Sequence, residues 1–167
     1  MPENEISVTD SYDTNVSDVV GIAEFASKSG CPKVIFLSTG AVYENDTVFP
    51  SSEDRRLKTS LVYPTGKYLA EQALESYAEA YKIKCAALRL FNMYGPRQDF
   101  FRKHPPLIGY LLRCLVKDET AVLYSDGTQS RDYIYIEDLY ELIKKVLHRM
   151  DDWNGKYFDA LNAGSGL

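Results

Sequence analysis

Tyr63 and Lys67 stand four residues apart, after an apolar run that ends in Ser38-Thr39 and before the segment Leu88-Arg89-Leu90-Phe91-Asn92-Met93-Tyr94-Gly95-Pro96-Arg97. A hydroxyl, a phenol and an ammonium gathered at the ends of parallel strands form a site that moves a proton while a hydride leaves the same carbon. The four-residue spacing puts Tyr63 and Lys67 on one face at the start of a helix. Ligands of parallel sheets bind beyond the carboxyl ends of the strands, where Ser38 and Thr39 fall. Taken alone, Tyr-x-x-x-Lys carries little: with 13 tyrosines in 167 residues, such a pair arises by chance about once. A second copy, Tyr140 to Lys144, lies mid-helix with no strand-end hydroxyl before it, and reads as a solvated helix face. The chain offers no competing nucleophile with a partner histidine and no metal-ligand cluster.

The elements that must position these groups alternate between strand and helix. Residues 15–29 form a helix by the spacing of Val16, Val19, Val20, Ala23 and Ala26, stopped by Gly30. Residues 33–37 are a short β-branched and aromatic run suited to a strand buried on both faces. A polar loop spans 43–60. Pro64 suits the first turn of a helix that runs to about Tyr81, and a second buried strand covers 84–91. After the break at Gly95-Pro96 comes a loop over 100–106 and a helix over 107–116. Two short strands, 121–124 and 132–136, flank the turn Asp126-Gly127-Thr128. A helix over 137–150 and a last strand over 156–161 complete the pattern. Alternation of this kind predicts an α/β fold: a parallel sheet with helices on both faces.

Composition bounds the rest. A chain of 167 residues with 45% hydrophobic and 26% charged residues is one soluble globular unit by length. The net charge of -5 leaves no basic stripe for nucleic acid. No apolar run approaches the roughly 18 residues that span a membrane. The acidic start Met1-Pro2-Glu3-Asn4-Glu5 lacks the features of a signal peptide. Cys31, Cys85 and Cys114 are odd in number and widely spaced, which suits a reducing cytoplasm and not a disulfide framework.

Three pieces in order, Ser38-Thr39-Gly40-Ala41-Val42-Tyr43, Tyr63-x-x-x-Lys67 and Phe91-Asn92-Met93-Tyr94-Gly95-Pro96-Arg97, resemble the extended short-chain dehydrogenases/reductases of the NAD-dependent sugar-nucleotide epimerase/dehydratase family. The segment Tyr124-Ser125-Asp126-Gly127-Thr128-Gln129-Ser130-Arg131-Asp132-Tyr133-Ile134-Tyr135-Ile136-Glu137-Asp138 and the terminal Asn162-Ala163-Gly164 extend the match. The resemblance implies a partial Rossmann-like sheet with a small substrate-binding lobe. Residues 1–95 would be the C-terminal part of the NAD-binding domain with the catalytic residues. Residues 96–167 would mix the lobe with returning Rossmann elements. By position, Thr39 would be the catalytic hydroxyl, Tyr63 the acid/base and Lys67 its partner. Ser38, Tyr63, Lys67 and Phe91 would contact the cofactor, and Thr39, Asn92 and Arg131 the substrate. A phenol of ordinary pKa about 10 is a poor base; a neighbouring ammonium favours the phenolate. The bland readings are a turn residue for Asn92 and a surface ion pair with Asp132 or Asp126 for Arg131.

The implied activity is epimerisation of a nucleotide sugar with NAD, NADP being open as the cofactor. The alternatives are a one-way reductase or dehydrogenase on such a substrate, and a non-catalytic remnant or interaction subunit of the same fold. A homodimer is also open. Three departures bear on this. The family's dehydratases carry an Asp-Glu pair where this chain has Gly40-Ala41, and elimination needs an acid for the leaving hydroxyl, so 4,6-dehydration is not expected. Pro64 and Gly66 stand between the catalytic pair and weaken the local helix. None of the ten glycines forms the family's Gly-x-x-Gly-x-x-Gly turn, which seats a pyrophosphate at a helix N-terminus. The expectation is that the first half of the nucleotide-binding sheet is missing, that the chain alone binds NAD weakly, and that an apolar sheet edge at 34–37 favours self-association.

Overall fold

The structure, a computed structural model, describes residues 7–124 and 126–166. The acidic start of the chain and Ser125 lie outside the described residues. Helix α1 (Val8–Tyr12) opens on Ser7, whose hydroxyl accepts from the Asp10 N–H, the usual arrangement at a helix start. A π turn, Asp13–Ser17, joins it to α2 (Asp18–Lys28). Helix therefore begins well before Asn15, because the cap at Ser7 outweighs the scarcity of apolar residues in the first turns.

Strand β1 (Lys33–Thr39) leads through the turn Gly40–Tyr43 and a loop to α3 (Val62–Tyr81), then β2 (Lys84–Leu90). Much later β5 (Phe158–Ala163) returns to the same sheet. The order is β1-β2-β5, all parallel, with Thr39 opposite Leu90 and Leu90 opposite Ala163. All three strands thus end level, and their carboxyl ends make one rim. The sheet-edge expectation for 34–37 is matched in that β1 is an outer strand and Leu37 is exposed.

The two faces of β2 differ, since successive side chains of a strand point opposite ways. Cys85 and Ala87 pack with Ala23, Phe36, Ala70, Leu74 and Ala78 beneath α2 and α3. Ala86 and Leu88 pack with Leu139, Val146 and Met150 beneath α5 (Ile136–Arg149). Burial on both faces is why β2 reads as a near-continuous apolar run; β1, expected to be buried on both faces, is not, because as an outer strand it leaves Leu37 exposed and Val34 and Ile35 half-buried. Despite Pro64 and Gly66, α3 forms over 20 residues. Pro64 lies in its first turn, where a missing N–H costs nothing.

The second, smaller unit is a two-stranded parallel sheet of β3 (Asn92–Tyr94) and β4 (Tyr133–Tyr135), with Asn92 opposite Tyr133. The 132–136 strand is present as β4. The strand expected over 121–124 is not: these residues carry no regular structure, Val122, Leu123 and Tyr124 are exposed, and the Val122 N–H is taken by the Tyr110 hydroxyl at 2.8 Å. β4 pairs instead with β3, which sequence placed in the break after the second strand. Gly95 lets this happen. A Cβ there would lie 3.0 Å from Ile136 Cβ, and closer still to its Cγ2. Helix α4 (Leu107–Lys117) flanks this unit. No helix among the described residues is long and apolar enough to cross a membrane.

Candidate active site

Thr39 closes β1 in extended backbone, and its hydroxyl oxygen accepts from the Ala41 N–H at 3.2 Å. That bond uses a lone pair and leaves the O–H free to donate. Lys67 reaches back from α3 to the same strand end. Its Nζ donates to the Leu37 carbonyl at 3.2 Å and lies 4.7 Å from the centre of the Phe36 ring. Burial pushes the ammonium below the ordinary lysine range, because a charged amine loses hydration against the sheet. Tyr63 sits one helical turn before Lys67 on the same face of α3, half-buried. Among the described residues its hydroxyl makes no hydrogen bond.

Ser38 differs from its expected role. It is buried, and its hydroxyl donates to Glu71 Oε1 instead of facing the rim. As a cofactor contact it has only its backbone to offer. Its side chain points to the α3 side of β1 together with Phe36, as strand alternation requires.

Glu71 belongs to a polar core that sequence reasoning did not single out. It is 1% exposed, and Arg89 on β2 is 5% exposed. Arg89 Nε donates to both Glu71 oxygens, at 3.2 and 3.1 Å, and its Nη2 to Oε2 at 2.7 Å. Arg89 Nη1 donates to the Tyr43 hydroxyl at 2.7 Å, and that hydroxyl donates to Asn162 Oδ1 at 2.9 Å. Asn162, at the end of β5, donates through its amide to the Ser51 carbonyl, and its N–H reaches Glu53 Oε1. One chain of bonds thus ties the rim of the sheet to the loop after Tyr43. Burial raises the Tyr43 phenol above its ordinary range, against the opposing pull of Arg89. Burial alone would lower Arg89; its bonds to Glu71 and Tyr43 reverse that and raise it. A charged residue inside an otherwise apolar strand run, and an acid four residues after Lys67, were the available signals, since buried arginine and glutamate occur almost only as pairs.

Glu44 closes the same loop. It accepts from the N–H groups of Ser60 and Leu61 and from the Ser60 hydroxyl. Burial raises its pKa, but those three donors outweigh this and bring it down. The carboxylate faces the N-terminus of α3, where the helix dipole favours an anion.

Phe91 crosses from β2 to β3. Its N–H donates to the Ala163 carbonyl at 3.1 Å, and its ring packs against Gly40, where an added Cβ would lie 3.0 Å from the ring edge. A side chain at position 40 would have to displace Phe91.

Asn92 and Arg131 line a separate cleft of about 800 Å³ together with Tyr94, Tyr110, Arg113 and Tyr124. Asn92 opens β3 and donates through its side-chain amide to the Asp132 carbonyl at 2.8 Å. Arg131 is exposed and donates to the Ser130 carbonyl and to Gln129 Oε1. Among the described residues it forms no ion pair, for the Asp132 carboxylate is turned to the backbone of Ser165 and Gly166. The structure therefore brings Lys67 of α3 to β1 two residues before Thr39, puts Tyr63 one turn before Lys67 on the same helix, sets Phe91 beside Gly40, and places Asn92 and Arg131 together in the cleft.

Parallel strands with helices on both faces and polar groups at their carboxyl ends are the layout of a doubly wound, dinucleotide-binding protein. The model of the NAD dependent epimerase/dehydratase family matches residues 1–164, and the chain belongs to that family. UDP-glucose 4-epimerase of Mycolicibacterium smegmatis is 31% identical over 128 residues, which cover 76% of this chain and 41% of that protein. The crystal structure of UDP-glucose 4-epimerase from Thermotoga maritima, with UDP-glucose, superposes with a TM-score of 0.80 at 31% identity, over 98% of this chain and 53% of that one. dTDP-glucose 4,6-dehydratase from Bacillus anthracis, solved in complex with NAD, gives 0.77 at 27% identity, over 92% of this chain and 47% of that one. The chain thus spans about half the length of the relatives it matches.

The family is NAD dependent, and the rim fits one end of that cofactor. Lys67 has three N–H donors and spends one on Leu37, so two remain for the hydroxyls of a ribose, with the Tyr63 phenol one turn away. Among the described residues, no glycine-rich turn opens a helix toward a pyrophosphate.

Proposed function

We propose that this chain carries the catalytic half of a nucleotide-sugar epimerase, with NAD as the cofactor. The observation that carries this is the rim itself. Lys67 is anchored on β1 two residues before Thr39, and Tyr63 shares its face of α3. In this reading Tyr63, as the phenolate, takes the proton of a sugar hydroxyl. The Lys67 ammonium favours that phenolate by its charge. Thr39 donates its free O–H to the sugar oxygen and holds it in line. The chemistry supplied by bound NAD is reversible hydride transfer at the same sugar carbon. Asn92 and Arg131 hold the diphosphate, Arg131 by charge-assisted bonds.

Two features favour epimerisation over dehydration. Gly40 and Ala41 supply no acid to protonate a leaving hydroxyl, and the Phe91 ring packed on Gly40 would have to shift to admit one at position 40. Relatives named as 4-epimerases of UDP-glucose support a UDP-hexose as the substrate. The three cysteines are free, which supports a reducing compartment, the cytoplasm.

The test is turnover of UDP-hexoses by a protein that carries this chain together with a complete nucleotide-binding sheet. Tyr63→Phe should lower the rate by about 10²–10⁴-fold, the usual contribution of a positioned acid/base, while Tyr140→Phe leaves it unchanged. A Tyr63→Phe protein that keeps most of its rate would refute the assignment. A parent protein with no turnover would favour the non-catalytic reading.

A further inference from the structure

Lys67 and Glu71 are four residues apart on α3, the spacing at which lysine and glutamate normally pair. Helical side chains lean toward the helix N-terminus, so Glu71 leans onto the turn that carries Lys67. The pair nevertheless does not form: among the described residues Lys67 has no carboxylate partner, and its ammonium goes to the Leu37 carbonyl and the Phe36 ring. The reason lies on β2. Arg89 occupies both oxygens of Glu71 through three N–H bonds, and Ser38 adds a fourth bond to Oε1. We propose that Arg89 is a positioning residue for Lys67: by holding Glu71 it denies Lys67 the partner one turn away, and so keeps the ammonium open to a ligand at the end of β1.

The identity of that ligand rests on the reading above; the sequestering of Glu71 does not. A guanidinium is suited to the task, since its fork engages both carboxylate oxygens and stays charged when buried. Its consequence is electrostatic. A lysine with a carboxylate partner would titrate high, whereas Lys67 is governed by burial alone and titrates low. The titratable groups on the elements packed round it include Asp10 and Tyr12 on α1, Tyr12 lying against the neighbouring Gly66, Asp13 at the start of the π turn, Asp18 and Glu24 on α2, Tyr63 and Glu71 on α3, Tyr43 in the turn after β1, and Arg89 on β2. Of these, Glu71 is the carboxylate on Lys67's own face of α3.

The experiment follows the titration of Lys67 itself, by carbon-13 NMR of the 167-residue chain labelled at lysine, with Lys67→Arg to assign the signal. In Arg89→Met the released Glu71 should turn to Lys67 and shift its titration upward. In the double variant Arg89→Met with Glu71→Met, which removes the pair together, Lys67 should titrate as in the parent. Arg89→Lys, which can hold only one oxygen firmly, should give a smaller upward shift and decides the matter if Arg89→Met does not fold. The proposal is overturned if Lys67 titrates unchanged in the folded Arg89 variant, or if the double variant shifts as far as the single one. The readout needs neither cofactor nor turnover. Its failure leaves the epimerase reading standing, and an inactive enzyme leaves the sequestering standing.

Discussion

The rim and the cleft are built on opposite terms. At the rim, Thr39 and Lys67 hang on a seven-residue strand and a 20-residue helix, and beneath them lies a buried ion pair bonded to three elements. In the cleft, Asn92 and Arg131 sit on the edge of two three-residue strands, flanked by exposed segments and held mainly by bonds to neighbouring backbone. Groups that transfer a proton must be placed to a fraction of an ångström, so they are found where packing fixes them. In the proposed reading the cleft groups grip a flexible diphosphate and can adjust to it, as loops at a scaffold's edge do.

If that contrast is sound, the largest effect belongs to the buried pair. Arg89→Ala takes away the buried counter-charge of Glu71, leaving it the Ser38 bond and the turn toward Lys67, and should cost about 3–5 kcal/mol of stability, whereas Arg131→Ala should change it by no more than about 0.5 kcal/mol. Chemical denaturation of the two variants beside the parent chain measures both. Equal losses would erase the distinction between the regions.

The functional counterpart runs the other way. In the protein with a complete nucleotide-binding sheet, Arg131→Ala should weaken substrate binding by about 1.5–3 kcal/mol, the loss of a charge-assisted bond. Titration with the nucleotide sugar reads this directly, and an unchanged affinity would remove Arg131 from the site.

The smallest and cheapest comparison uses the cysteines. Cys85 is the second residue of β2 and has no exposed surface, Cys114 is buried on α4 at the edge of the lobe, and Cys31 is exposed. Burial pushes the Cys85 thiol up to about 11, so near neutral pH it stays protonated and unreactive. A thiol reagent should label Cys31 at once, Cys114 slowly through local opening of α4, and Cys85 only on the time scale of global unfolding. Labelling of Cys85 ahead of Cys114 would mean that the sheet is the softer region.

The same division governs what could be read from sequence. β1, β2, α4 and α5 were legible because each is a run with the period of its element, packed by neighbours that reward that period. Thr39, Tyr63 and Lys67 could be proposed as a site because their pattern is local: a strand end, then a helix start with two side chains on one face. β3 was not, since Asn92-Met93-Tyr94 is three residues beside a glycine, and what makes it a strand is β4, some forty residues away. Residues 121–124 erred in the opposite sense: a β-prone run found no partner edge and stayed irregular. The tie between Glu71 and Arg89 joins a helix to a strand 18 residues on. Each member looked locally out of place, and only their meeting explains both.

The alternation along β2 has a consequence for how this chain tolerates change. Cys85, Ala87 and Arg89 point to one side, Ala86 and Leu88 to the other, so the strand works as a ruler with a step of two. A substitution at any mark alters one contact. Deletion of a single residue between positions 85 and 89 would reverse every mark beyond it, setting the guanidinium among Leu139, Val146 and Met150 and a leucine against the carboxylate of Glu71. Length, more than composition, is what this strand must conserve.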